Sequence, residues 1–301
     1  MKKHLIGCAL ILLFSSVALP QQQVSQKVKA RFNKNENDRR LVDKDADLTL
    51  DDGARKLLVK NDERPLELSY GDIQKVVFDV STHMRGGGLS QVVGGLAGAA
   101  MASKHVNDYW CYIEYKKPDG SVQSYMLEIE KEAAPTFIEK METVFSGKVT
   151  VAEFAEKDEK LEKDTLKDLQ SKHDMKVDEK NHPMPETKPD KALVVVVCPP
   201  LAARYQGKGN QFKLHANDKV VAVNKMGTYS FVYLDPGDYL LVSQVENASG
   251  FRMKLEAGKD YYFLQDTFMG MWKARTALSR HTKELVMYEL SGAHYSDWTR
   301  K

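Results

Sequence analysis

The sequence predicts a mostly β protein of the α+β kind, with a barrel capped by one helix over residues 46–147, a charged linker over 148–190 and an antiparallel β-sandwich over 191–301. Three observations carry this. First, Gly227 to Gln265 reads as strands crowded with aromatic and branched residues, cut by the turns Asp235-Pro236-Gly237-Asp238 and Ala257-Gly258-Lys259-Asp260. Second, short apolar runs separated by tight-turn residues fill 46–129 and are followed by one amphipathic helical stretch. Third, the composition shifts to dense mixed charge and then proline between them. At 301 residues, 42% hydrophobic and 29% charged, the chain is long enough for two cores and has a globular balance.

In chain order, residues 1–18 have the three regions of a secretory signal: Lys2, Lys3 and His4, an apolar run from Leu5 to Phe14, then Ser15-Ser16-Val17-Ala18 with small residues at the cleavage positions. The run is short of the roughly 20 residues that a membrane-spanning helix needs, so cleavage after Ala18 and export to the periplasm or beyond are expected. Leu5-Ile6-Gly7-Cys8 has the letters of a lipoprotein box, but the apolar run follows the cysteine instead of preceding it. Loss of Lys2 and Lys3 turns 44 basic against 42 acidic residues into 42 against 42. That balance gives no concentrated basic surface, and nucleic acid is excluded as a partner. Residues 19–45 are polar, with QQQ and KVKARFNKNENDRR, and are expected to form a flexible leader.

From Ala46, ADLTL, the turn Asp51-Asp52-Gly53, ARKLLVK, the break at Asn61 to Pro65, LELSY and Ile73 to Val80 predict a meander of short strands. Tyr109 to Tyr115 and Ser124 to Ile129 pair across Lys117-Pro118-Asp119-Gly120, a strong hairpin signal. Pro135 suits a first helical position. Phe137, Ile138, Met141, Val144 and Phe145 share one helical face, and Gly147 ends it. With LELSYGDIQKVVFD, the hairpin and FIEKMETVF in this order, the segment 46–147 resembles the pleckstrin-homology-like domains of bacterial exported proteins. The resemblance implies a barrel, and in such domains basic residues of the first hairpin loop often bind phosphoinositides. Here that loop carries two acids, Asp51 and Asp52.

The run AEKDEKLEKDTLKDLQSKHDMKVDEK reads as a solvated spacer with a weak Leu161, Leu166, Leu169 edge, and NHPMPETKPDK as an extended linker. Ala192 to Cys198 is an uninterrupted apolar strand, predicted to be buried on both faces. QFKLHAN, the turn Asn217-Asp218 and KVVAVN precede the stretch described first, and the spacing describes an immunoglobulin-like antiparallel sandwich. ALVVVV, FKLHANDKVVAVNKMGTYSFVYLDPGDYLL and LEAGKDYYF together make residues 191–290 similar to the bacterial domain of unknown function 2846 family. That similarity implies a small exported β-domain with no established chemistry. TALSRHTKELVMYEL is helix or last strand, and the aromatic residues of AHYSDWTRK pack back onto the domain.

Few residues suggest chemistry. The uncharged glycine-rich stretch 86–103, with Leu89, Val92, Val93, Leu96 and Met101, is flanked by His83, Arg85, Lys104 and His105. Its small-residue spacing suits a loop that contacts a membrane or a partner helix, or one tucked against its own domain. Met269, Met271 and Trp272 form a second apolar cluster. These eight residues are the candidate contact surface. No phosphate loop, HExxH, CxxC or GxSxG is present, so no catalytic residue, cofactor or metal is assigned. Cys111 and Cys198 sit in apolar strands of different units and are expected to be buried free thiols. Cys198 with His215 is a catalytic pair for a thiol enzyme only if the fold juxtaposes them. The expectation is a non-catalytic binding or structural protein of the bacterial cell envelope whose partner is a protein or other envelope component. The alternatives are peripheral membrane contact through 86–103, and a thiol-dependent or hydrolytic enzyme built at the junction of the two units.

Overall fold

In Lys27-Val28-Lys29-Ala30-Arg31-Phe32 every second residue is apolar, and Val28, Ala30 and Phe32 are buried in the computed structural model of the chain. The model describes residues 23–35, 38–85, 104–154, 173–200, 210–245, 248–269 and 274–300. These residues lie in strand β1 (Gln23–Asn35), which pairs antiparallel with β2 (Asp38–Asp51) along most of its length and with β7 (Val122–Ile129) through Val28 to Arg31. The described part of the segment 19–45, expected to be a flexible leader, is therefore β1 and the start of β2. Charged residues at the alternate positions hid the period of two.

The first sheet has eight strands in the order β4-β3-β2-β1-β7-β6-β5-β8, adding β3 (Lys56–Lys60), β4 (Leu66–Ser69), β5 (Ile73–Arg85), β6 (Lys104–Lys116) and β8 (Val149–Phe154). The expected barrel is not closed. Among the described residues no pairing joins β4 to β8, and the sheet keeps two edges. The hairpin of β6 and β7 turns where expected, with Gly120 at φ +85° and the Asp119 carboxylate accepting the Ser121 N–H at 2.9 Å. Helix α1 (Ala134–Val144) carries Pro135 in its first turn and buries Ala134, Phe137 and Met141 against one face of the sheet. β8 then returns parallel to β5.

The second lobe is a sandwich, as expected, but a mixed one. Its six-stranded sheet runs β17-β16-β10-β13-β18-β9, from β9 (His173–Asp178), β10 (Ala192–Cys198), β13 (Thr228–Leu234), β16 (Asp260–Met269), β17 (Ala274–His281) and β18 (His294–Arg300). The pairs β10–β16 and β13–β18 are parallel, so the sandwich is not purely antiparallel. Facing it is an antiparallel sheet, β12-β11-β14-β15, from β11 (Phe212–Ala216), β12 (Lys219–Asn224), β14 (Gly237–Gln244) and β15 (Ala248–Leu255). The turns at Asp235 and Gly258 are corners: β13 to β14 and β15 to β16 each change sheets. Two strands also come from the segment 148–190 expected to be linker, β8 at one edge of the first sheet and β9 at one edge of the second.

Helix α2 (Lys283–Ser291) follows β17 directly, so TALSRHTKELVMYEL is both strand and helix. It lies between the lobes. Alternation sorts the layers: Ala192, Val194 and Val196 of β10 face the four-stranded sheet, whereas Leu193, Val195 and Val197 join Leu285, Val286 and Leu290 of α2 with Trp110 and Met126 of the first sheet. β10 is thus buried on both faces, as its unbroken apolar run predicts. The stack is α1, first sheet, α2, second sheet, third sheet. Among the described residues no helix is long and apolar enough to cross a membrane.

Candidate functional site

Leu89, Val92, Val93, Leu96, Met101, Met271 and Trp272 lie outside the described residues, and of Met269 only the backbone, the end of β16, lies within them. The flanking strands locate where these segments attach. Glu284 reaches Lys75, His281 reaches Asp79, and the Arg280 guanidinium lies over Phe154, the register partner of Ser81. β17 therefore runs antiparallel to β5, and the strand ends at Arg85/Lys104 and at Met269/Ala274 lie on the same side of the fold. His83 is in register with Val106, and His105 with Met84, so the two histidines are not cross-strand partners.

The other sequence candidates are structural. Cys111 and Cys198 are free and buried, and burial pushes both thiols up, Cys198 well up, away from the thiolate that a nucleophile requires. His215 is equally buried, and its Nε2 shares a hydrogen bond with Gln244 at 2.8 Å. In the first hairpin loop, Asp52 receives Lys140 of α1 at 2.5 Å and the Tyr70 hydroxyl at 3.0 Å. The Lys140 hydrogen bond holds its carboxyl below the usual range. Among the described residues no group of three or more His, Cys, Asp or Glu is placed to hold a metal ion.

The chemistry-bearing groups that come together do so between the lobes, around α2. At one end, Asp79 from β5 is 1% exposed and His281 from β17 is 4% exposed. Asp79 Oδ1 lies 2.9 Å from His281 Nδ1, His281 Nε2 lies 2.8 Å from Ser279 Oγ, and Ser279 donates to Asp266 Oδ2 at 3.2 Å. The second Asp79 oxygen accepts the Thr282 N–H at 2.6 Å, immediately before α2. At the other end, Arg31 from β1 is bound to Glu289 of α2 at 2.5 Å and to Asp43 at 2.6 and 2.9 Å, with its guanidinium 4.5 Å from the Trp110 ring centre. Burial opposes the Arg31 charge, but the pull of Glu289 and Asp43 overcomes it and raises its pKa. Burial pushes the Glu289 carboxyl upward against Arg31.

Aspartate, histidine and serine joined in this order have the connectivity of a hydrolase triad. The acids around the imidazole work against that role. Burial opposes charge on His281, but Asp79, then Asp266 and Asp108, outweigh it and raise its pKa. An imidazolium donates through both nitrogens, and this arrangement accepts from both: Asp79 on one side, and Ser279, passing its own proton to Asp266, on the other. A general base must instead be neutral and accept the serine proton. Ser279 is also buried, 4% exposed.

Beside this junction runs a crevice of about 870 Å³ between α2 and the outward face of β6 and β7, within the size range of ligand sites at domain interfaces. Lys75, Glu284 and Lys283 line it, as do Tyr112, Met287 and Tyr288, Glu114, and, beyond them, Arg64, Asn33 and Gln123. Its carboxylates are engaged: Glu284 holds Lys75 at 2.5 Å, and Glu114 accepts the Tyr112 hydroxyl at 3.3 Å. Among the described residues, neither Arg64 nor Lys283 has a carboxylate within ion-pair distance.

None of these residues was singled out from sequence. Two signals pointed to the junction: a carboxylate inside the apolar strand VVFDV, and a serine and histidine two apart in Ser279-Arg280-His281, which a strand places on one face. Searches with protein-family models and among curated proteins match nothing along the chain.

Proposed function

We propose that the chain is an exported, non-catalytic binding protein of the bacterial cell envelope, and that it holds an anionic ligand in the crevice along α2. The carrying observation is the charge arrangement in that crevice: the lining acids are engaged by Lys75 and Tyr112, whereas Arg64, its guanidinium 5.9 Å from the Phe32 ring centre, and Lys283 have no carboxylate partner among the described residues. A guanidinium fork suits a carboxylate or phosphate, and Asn33 and Gln123 offer hydrogen bonds to neutral polar groups of the same ligand. Export rests on the signal-like residues 1–18. For the fold, we propose an opened relative of the pleckstrin-like plan followed by an immunoglobulin-like sandwich of the domain of unknown function 2846 kind. Neither likeness supplies chemistry.

The test uses the mature protein with trigalacturonate as a hydroxyl-rich carboxylate probe and maltotriose as its neutral counterpart, in calorimetric titration. Binding of the acidic probe alone is expected, weakened about tenfold by Arg64→Ala or Lys283→Ala, the loss of about 1.4 kcal/mol for one charge-assisted contact. Equal binding of both probes, no binding, or hydrolysis of either would overturn the proposal. Cell fractionation with a salt wash tests the address. A soluble exported chain starting at Leu19 is expected. Salt-resistant membrane association would instead favour contact through the segments 86–103 and 270–273, whose flanking strand ends lie on one side of the fold.

A further inference from the structure

We propose that Asp79, His281, Ser279 and Asp266 form a pH-operated latch, which fastens α2 and the second lobe to the first sheet while His281 is an imidazolium and loosens them when that proton leaves. The four residues come from three strands: Asp79 from β5 of the first lobe, and His281 and Ser279 from β17 and Asp266 from β16 of the second. Asp79–His281, at 2.9 Å, is the crossing between lobes, and both side chains are 2% exposed. The same carboxylate holds the Thr282 N–H at 2.6 Å, so one side chain grips both the last residue of β17 and the N-cap residue of α2. Thr282 in turn caps the helix by accepting the Leu285 N–H.

The charges around the imidazole explain why its proton matters. From β5 it faces Asp79, from β6 Asp108, and from β16 Asp266, all acidic. The neighbouring cation on its own strand, Arg280, lies over the Phe154 and Tyr261 rings. On α2 the nearby Glu284 is paired with Lys75. The imidazolium lies 2.9 Å from the buried Asp79 carboxylate and is its counter-charge across the junction. With its proton, Nδ1 donates to Asp79 and Nε2 donates to Ser279, whose hydroxyl donates to Asp266. Without it, Nε2 can only accept. Ser279 must then choose between His281 and Asp266, and the buried Asp79 loses the imidazolium as its counter-charge.

The direction follows from linkage. The folded state raises the histidine pKa from 6.5, so the latch is at full strength below pH 6.5 and is lost as pH rises through the folded value. Between the two values its contribution to the docking equilibrium falls about tenfold per pH unit. Because Asp79 also seats the start of α2, loosening moves the helix that lines the crevice. Only this last step, weaker anion binding at alkaline pH, rests on the binding function proposed above.

NMR titration of the His281 Cε1–H in the wild-type mature protein needs no variant and no ligand. A midpoint above 6.5 is expected, with Ser279→Ala moving it down by cutting the link to Asp266. Melting temperatures from pH 6 to 9 should fall in the wild type by about 2–4 °C more than in His281→Gln, whose side chain does not titrate. A midpoint at or below 6.5, or parallel melting profiles for the two proteins, would overturn the latch. Labelling of Ser279 by a fluorophosphonate at neutral pH would also overturn it, since that requires a neutral histidine base and an accessible serine. These readouts stand whether or not trigalacturonate binds, so the latch and the binding function can fail separately.

Discussion

Glu289 sits on the helix between the lobes with its side chain 1% exposed, and such a carboxylate is tolerable only because Arg31 meets it at 2.5 Å. Arg31 is held in turn by both Asp43 oxygens and covers Trp110. The pair sits at the junction of the lobes, and without Glu289 the Arg31 charge is left to the more exposed Asp43 alone. Glu289→Ala is expected to destabilise the fold by about 3–5 kcal/mol in urea denaturation at neutral pH, the usual cost of breaking a buried ion pair. Glu289→Gln should cost less, because the amide still accepts from Arg31 and Asp43 still neutralises it. Equal losses for the two variants would mean that packing, not charge, makes Glu289 important. Nothing in the letters ELVMYEL tells a buried glutamate from a solvated one. The partner lies 258 residues away in the chain, and a sequence read locally has no access to it.

Elements were legible where the local pattern and the final packing agree. The β6–β7 hairpin needed only a Pro-Asp-Gly turn between aromatic strands, α1 a proline start and one apolar face, and β10 an apolar run buried on both sides. Illegible elements have polar residues that turned out to be inside or between layers. β1 reads as charged because Lys27, Lys29 and Arg31 alternate with its core residues, and Lys29 and Arg31 bind Glu128 and Asp43. β9 and β18 pair through residues on opposite flanks of the lobe, which no spacing rule connects. β17 and α2 looked ambiguous because Ser279 and His281 are buried polar residues in a strand. The two descriptions of residues 19–35 make opposite forecasts. A leader can be removed at no cost, whereas deletion of 19–35 here takes β1 from between β2 and β7 and uncovers Leu48, Leu50 and Leu127. The truncated chain is expected to be insoluble or unfolded by circular dichroism. A soluble, cooperatively folding 36–301 chain would refute the placement of β1.

At the scale of the molecule, the two units that composition separates share a core. Trp110 and Met126 belong to the first sheet, yet they are buried against Leu193, Val195, Val197, Leu285 and Val286, and Asp79–His281 and Arg31–Glu289 bracket that apolar patch with charge-assisted bonds. Interfaces between independent domains are usually more polar and leave each domain free to unfold alone. Here, separating the lobes would expose one face of the first sheet and the flank of α2 that packs on it, and would leave His281 without Asp79 and Glu289 without Arg31. Calorimetry of the mature protein is therefore expected to show one transition, with calorimetric and van't Hoff enthalpies that agree. Met126→Asp places an unpaired carboxylate in the shared core, away from the α1-facing side that holds Leu127 and Tyr125. It should split the endotherm in two, with the first lobe melting at its own lower temperature. Two transitions in the wild type would mean that the lobes fold independently, and the latch at His281 would then have no cooperative docking to control.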